Sequence, residues 1–149
     1  MNYDPFVKNP LVDVKQAKDS LEAAFDRWGI EAEYEYDEFF GVKCDIYTNV
    51  YKDKINLSMS VYPSGLVTYY FYFDYMKKTA ENLALVNEFN DCVVGLKASI
   101  SDIGCLVVCN EAEILNENII VAYTKSVLDN LVDVGTVQYL LPLTKITHR

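Results

Sequence analysis

The sequence predicts an α+β fold in which helices pack on an antiparallel sheet, with the element order α-β-β-β-β-α-β-β-α. Three observations carry this prediction: a helical apolar stripe at the start, a change to a period of two from Ile30, and short turns between the strands that follow. Short connections favour antiparallel pairing, since parallel strands need long crossovers. The chain has 149 residues and shows no internal repeat or linker. We therefore predict a single domain over residues 1–149.

The first helix is predicted to start near Asn9 and Pro10, with Asn9 as the N-cap and Pro10 at the first helical position. Apolar residues then recur at the three-and-four spacing of a core-facing helix. This stripe comprises Val14, Ala17, Leu21, Ala24, Phe25 and Trp28. Gly29 supplies the left-handed residue that ends a helix.

A four-strand meander is predicted next. Its first strand alternates acidic and apolar residues from Ile30 to Tyr36, and its second runs from about Val42 to Tyr51. The third has Ile55, Leu57, Met59 and Val61 on its inner face. A tight turn at 63–65, Pro-Ser-Gly, leads into a fourth strand from Leu66 to Tyr75.

The second half of the chain predicts a helix, a hairpin and a further helix. Thr79 caps a helix through about Cys92, whose packing side is Leu83, Val86, Phe89 and Val93. A hairpin then joins residues 96–101 to residues 105–113. The third helix is predicted to start at Asn116 or Asn118 and to end or bend at Gly135. The tail over residues 137–146 is apolar and should dock on another part of the protein.

Composition and charge narrow the function classes. Lys and Arg number 13 against 22 Asp and Glu, so the formal net charge is -9. This balance argues against nucleic acid or an anionic membrane as a partner. The first residues show no basic region before an apolar run, and no segment is apolar enough to cross a membrane, so we expect a cytoplasmic protein.

Catalytic and metal chemistry have little support in the sequence. The one histidine, His148, lies in the tail, and no nucleophile-elbow, zinc-protease, P-loop or dinucleotide motif is present. Cys105 and Cys109 lie roughly 13 Å apart if they share a strand, too far for a disulfide or a common zinc. We expect buried, inert thiols, no cofactor and no metal, and a protein that is not an enzyme.

The acidic run from Glu31 to Glu38 has two interpretations. Carboxylates at alternate strand positions share a face and suit a divalent cation or a basic ligand. Alternatively, they form a solvated strand face that discourages edge-to-edge aggregation.

The aromatic strand over residues 69–75 is the strongest candidate for a binding surface. Tyr70 and Tyr72 point away from Tyr69 and Phe71, so phenols occupy a side where a sheet with one wet face shows polar residues. This side is either a partner surface or groove wall, or is covered within the chain. With the apolar tail, the predicted partner-binding residues are Tyr47, Tyr62, Tyr70, Tyr72, Tyr139, Leu140 and Leu143.

A motif near the end of the second helix carries a resemblance. Residues 85–90 read Leu-Val-Asn-Glu-Phe-Asn, and Lys97-Ala98 and then residues 102–108, Asp-Ile-Gly-Cys-Leu-Val-Val, follow in the hairpin. This pattern resembles the YbjN-type domains of the superfamily that shares the fold of type III secretion chaperones. The resemblance implies a small, acidic, often dimeric module that binds proteins, and no catalytic residue is carried over.

Two function hypotheses follow. The first is a non-enzymatic protein-interaction module, a small acidic dimeric adaptor or chaperone-like protein of bacterial or phage origin, whose partner is another protein or a second copy. The alternative is a small-molecule-binding or hydrolytic protein with a cleft lined by Tyr47, Tyr70 and Tyr72.

Overall fold

The first helix of the computed structural model, which describes residues 11–146, begins later than the sequence indicates. Helix α1 spans Val14–Arg27, and the Asp13 side chain caps it by accepting a hydrogen bond from the Gln16 N–H. The predicted cap, Asn9-Pro10, lies outside the described residues. In the described part of the chain, Asp13 supplies the capping carboxylate of α1. The buried side of α1 is Ala17, Leu21, Ala24 and Phe25.

The meander forms as predicted from its short turns. Its strands are β1 (Ala32–Tyr36), β2 (Phe40–Ile46), β3 (Ile55–Val61) and β4 (Leu66–Tyr75). Strand β2 ends five residues before the predicted Tyr51, because the Thr48 hydroxyl accepts hydrogen bonds from the N–H groups of Val50 and Tyr51 and turns the chain. The turn at residues 63–65 requires glycine, since Gly65 has φ +91°.

The C-terminal half completes the sheet. Helix α2 spans Ala80–Cys92 with Thr79 as its N-cap, and β5 (Lys97–Ile100) and β6 (Cys105–Glu113) form the hairpin. Leu83, predicted on the packing side of α2, is exposed, whereas Val86 and Phe89 are buried. The six strands are all antiparallel, in the order β1-β2-β3-β4-β6-β5. The α+β class with an antiparallel sheet is therefore confirmed.

The C-terminal tail forms a helix that the predicted order omitted. A 3-10 turn at Glu117–Ile119 leads into α3 (Ile120–Leu131), and α4 follows at Val134–Ile146. Gly135 neither ends nor bends α3. It lies in the first turn of α4, where its N–H donates to the Asp133 carboxylate, which restarts the helix.

The helices pack on one face of the sheet and share its core. The inward strand residues include Phe40, Leu57, Met59 and Phe71, all essentially inaccessible to solvent. Two tyrosines tie the sheet and its loops to α3: the Tyr69 hydroxyl lies 2.7 Å from the Thr124 hydroxyl, and the Tyr51 hydroxyl donates to the Leu131 carbonyl. Among the described residues, every buried side-chain polar atom has a hydrogen-bond partner. The opposite face of the sheet is thus the surface to be explained.

Candidate interaction surface

The sheet face opposite the helices, which we call the open face, carries no helix within residues 11–146. The strand registers align one row of side chains across all six strands. The row is Glu33, Lys43, Ser58, Tyr70, Cys109 and Lys97. A neighbouring row contains Asp45, Asn56, Tyr72, Val107 and Ser99. The open face therefore mixes charged groups at its margins with tyrosines and hydroxyls at its centre.

Two tyrosines form the centre of this face. The rings of Tyr70 and Tyr72 stack with centroids 6.4 Å apart, and the side chain of Tyr72 remains 39% exposed. The Tyr70 hydroxyl donates a hydrogen bond of 2.6 Å to a Glu111 carboxylate oxygen. That hydrogen bond raises the pKa of Tyr70 to about 12. At neutral pH the Tyr70 hydroxyl therefore keeps its proton and its bond to Glu111, and the stacked rings form an aromatic platform.

A second aromatic pair extends the surface toward the β1–β2 turn. Phe39 and Tyr62 stack with centroids 5.4 Å apart. Phe39 covers Gly41, where an added Cβ would lie 3.2 Å from the Phe39 ring. Because Gly41 shares the open face with Glu35, this second pair lies on the same side of the sheet as Tyr70 and Tyr72.

Four of the seven predicted partner-binding residues lie elsewhere. Tyr47 follows β2 and is 76% exposed, beside Trp28 at the end of the sheet. Tyr139 lies half-buried on α4, on the helical side, where a hydrogen bond with Cys92 raises the pKa of Tyr139. Leu140 and Leu143 are fully buried in the core. The prediction that they belong to a partner-binding surface is wrong, because α4 turns them inward against the rest of the core.

The four cysteines are free thiols. Cys105 and Cys109 share β6, as the sequence predicted, but Cys92 is exposed and the other three are only partly covered, so the prediction of buried thiols is wrong. Burial raises the pKa of Cys44 to about 12 and also raises the pKa of Cys105 and of Cys109. These three groups are therefore protonated and weakly nucleophilic at neutral pH.

A depression lies on the open face of the sheet. It encloses about 660 Å³ between the ends of β1, β2, β3 and β4. Its polar lining includes Glu33, Lys43, Asn56, Ser58 and Tyr72. The sequence predicts a cleft lined by three tyrosines, Tyr47, Tyr70 and Tyr72. Of these, Tyr72 borders this depression, and Tyr47 borders a separate one.

The depression offers hydrogen-bonding groups but no activated nucleophile. The depression contains the Ser58 hydroxyl. Residues 11–146 contain no histidine that could act as a general base for this hydroxyl. In the same part of the chain, no group of three or more His, Cys, Asp or Glu side chains is arranged to hold a metal ion.

The two edges of the sheet differ in a way that the sequence did not reveal. On β5, the Asn90 side chain donates to the Ala98 carbonyl (2.9 Å) and accepts from the Ala98 N–H (2.7 Å). It therefore occupies both outward backbone groups of Ala98, which another strand would use. Strand β1 forms the other edge, and no strand among the described residues pairs with its outer side. Asn90 belongs to the motif at residues 85–90, but its helical position alone does not indicate this contact.

Comparison with known proteins gives no neighbour from which a function is transferred. No protein-family model, curated protein or solved structure matches the chain. Within the described part of the chain, no helix has the length and apolar character needed to cross a membrane.

Proposed function

We propose that this chain is a non-enzymatic protein-interaction module, a small acidic adaptor or chaperone-like protein of the bacterial or phage cytoplasm, which binds a partner protein through its open face. The observation that carries the proposal is the stacked pair Tyr70–Tyr72 on a sheet face without a helical cover within residues 11–146. Tyrosines bury a large area at a small entropic cost and are enriched in the centres of protein interfaces.

The surroundings of the tyrosines suit a protein partner better than a nucleic acid. Ser58, Ser60 and Thr68 supply hydroxyls beside the rings, and Glu33, Glu35 and Glu111 place carboxylates around them. Aromatic platforms for nucleic-acid bases normally lie in a basic groove. An apolar and aromatic centre with a polar margin is the usual composition of a protein interface.

A second copy of the chain is the partner to test first, because the resemblance to YbjN-type domains implies a dimeric module. Light scattering over a range of concentrations should give a dimer for the wild type. Tyr72→Ala should weaken dimerisation by about tenfold or more, since truncating an aromatic residue at an interface centre costs at least about 1.4 kcal/mol. Tyr36→Ala is the matched control, because Tyr36 is also exposed but lies on β1, under Lys18 of α1.

A different protein partner is tested by a photo-crosslinking residue at position 72 or at position 134, because Val134 is exposed at the start of α4 and belongs to neither proposed surface. Adducts formed at position 72 but not at position 134 support the open face as the binding surface. A protein that is monomeric at all concentrations and forms no position-specific adduct contradicts the proposal.

The depression of about 660 Å³ supports the alternative, a small-molecule-binding protein. Its lining by Lys43, carboxylates and Tyr72 suits a polar ligand with an apolar part. A ligand screen by thermal shift tests this alternative. If Tyr70→Ala and Tyr72→Ala leave every ligand-induced shift unchanged, the tyrosines do not line a ligand site.

A further inference from the structure

Strand β1 presents a free edge whose outward backbone groups can be identified. The Asp37 N–H donates to the Phe39 carbonyl beyond the Tyr36–Phe40 pair. Asp37 and Phe39 are therefore a hydrogen-bonded pair. In an antiparallel ladder, hydrogen-bonded pairs alternate with pairs that share no direct hydrogen bond, so the neighbouring pair Tyr36–Phe40 is of the second kind. The N–H and C=O groups of Ala32, Tyr34 and Tyr36 therefore point away from β2. Within residues 11–146, no strand receives them.

The opposite edge of the sheet is partly closed. On β5, the backbone groups of Ala98 and Ile100 point outward, because the next ladder bond runs from the Ser101 N–H to the Cys105 carbonyl. Asn90 occupies both groups of Ala98, whereas the three outward residues of β1 receive no strand within residues 11–146. An added strand would therefore find more backbone partners on β1.

The surroundings of this edge are strongly acidic on both sides of the sheet. Between α1 and β1 runs a groove with a volume of about 810 Å³. Its carboxylates are Asp19, Glu22, Asp26 and Glu31. On the open face, Glu33 and Glu35 flank the same strand. Two lysines lie beside these carboxylates: Lys18 of α1 pairs with Glu22 at 3.1 Å, and Lys43 of β2 lies opposite Glu33.

The Tyr34 side chain lies within this acidic field. Its ring stacks on Phe40 with centroids 5.7 Å apart. Burial, together with the nearby carboxylates of Glu22 and Asp26, raises the pKa of Tyr34. An incoming strand would therefore meet a partly apolar floor with negative charge on both sides.

We propose that the edge of β1 binds an extended basic segment of another protein, which pairs with the backbone of Ala32, Tyr34 and Tyr36 as a seventh strand. Backbone hydrogen bonds to an exposed sheet edge supply affinity in this mode, and side chains on alternate sides supply specificity. Lysine or arginine at successive positions of the segment meets the α1 carboxylates on one side and Glu33 and Glu35 on the other.

A second copy of this chain is a poor occupant of the same edge. If two copies paired through β1 around a two-fold axis at Tyr34, Glu33 of one copy would face Glu35 of the other. Like charges directly opposite each other destabilise antiparallel pairs. The carboxylates therefore favour a basic segment and disfavour self-association here.

The test uses three capped heptapeptides and the full-length chain. The first repeats two lysines followed by one threonine, which places lysine on both sides of the strand. The second has glutamate in place of lysine, and the third is the lysine peptide methylated on all its backbone nitrogens. The methylated peptide keeps every side chain and charge but donates no backbone hydrogen bond. We expect titration calorimetry to show binding of the lysine peptide, about tenfold or more weaker binding of the methylated one, and none of the glutamate peptide.

Variants of Tyr34 test the edge from the side of the protein. Tyr34→Pro removes an outward N–H that is not part of the β1–β2 ladder, and proline is tolerated on edge strands. Tyr34→Ala is the matched control, because it loses the same ring but keeps the N–H. The lysine peptide should bind Tyr34→Pro about tenfold more weakly than Tyr34→Ala.

Three outcomes would overturn the proposal. Equal binding of the lysine peptide and its methylated form would show attraction to a protein of charge -9 without strand addition. Equal binding by Tyr34→Pro and Tyr34→Ala would exclude the β1 edge. If the wild type does not bind the lysine peptide, the acidic residues at this edge serve only to prevent edge-to-edge aggregation. The inference does not rest on the proposed function, because the assays of Tyr72 at the open face report on a different surface.

Discussion

Replacing Asn90 with alanine tests how much its contact with the β5 edge stabilises the protein. The change removes two hydrogen bonds, of 2.9 and 2.7 Å, between the Asn90 amide and the Ala98 backbone. Each such bond contributes about 0.5–1.5 kcal/mol net, so their loss should lower the free energy of unfolding by about 1–3 kcal/mol. Alanine returns up to about 0.7 kcal/mol of helix propensity. Asn87→Ala is the matched control, since Asn87 is exposed in the same helix and gains the same propensity.

Urea denaturation followed by circular dichroism measures both variants. We expect Asn90→Ala to have a lower midpoint and an unchanged slope, because the surface exposed on unfolding stays the same. The difference between Asn90→Ala and Asn87→Ala then isolates the contact with Ala98. If the two variants agree within about 0.5 kcal/mol, the reasoning is refuted, because that is the ordinary effect of a surface substitution.

Two further predictions concern the hairpin turn and the open face. Gly65→Ala should lower the free energy of unfolding, measured by urea denaturation, more than Gly29→Ala. Both glycines have positive φ, but a Cβ at Gly65 would lie 2.9 Å from the Ile114 carbonyl oxygen, whereas no atom lies within 4 Å of a Cβ at Gly29. Equal losses of stability in the two variants would contradict this packing argument. For Tyr70, whose folded pKa is raised to about 12 by donation to Glu111, the stabilisation is fully present below about pH 10 and is lost as the pH rises toward about 12. The measurement is the difference in the free energy of unfolding between the wild type and Tyr70→Phe. This difference should be constant between about pH 8 and about pH 10 and should shrink above about pH 10. A difference that stays constant at every pH would contradict the assignment of this stabilisation to the Tyr70 hydroxyl.

Local signals in the sequence were sufficient for the elements whose boundaries depend on neighbouring residues. Strand β4 spans the predicted Leu66–Tyr75, because a turn precedes it and residues that favour strands fill it. The register shift against β6 between Tyr72 and Tyr75 has no signal in the sequence. Helix α2 begins after the predicted cap, Thr79. Both signals act within a few residues, and sequence periodicity reports such interactions directly.

The sequence was insufficient where a boundary or a contact depends on distant groups. Asp133 restarts the helix at α4, and the burial of Leu140 and Leu143 follows from packing against the core. A run of apolar residues is the same whether it docks inward or faces a partner, so the tail was assigned partly to a surface. The Asn90–Ala98 contact depends on the position of α2 relative to the sheet, which no local pattern specifies.

The positions of the two candidate surfaces make them separable by experiment. Tyr72 lies on β4 and Tyr34 on β1, and β2 and β3 lie between them. At about 4.8 Å per strand, the two strands are roughly 14 Å apart. A strand added at β1 would extend the sheet sideways and leave the centre of the open face accessible. Tyr72→Ala should therefore leave binding of the lysine peptide unchanged, and Tyr34→Pro should leave dimerisation unchanged. If either variant affects both measurements, the two surfaces act as one site.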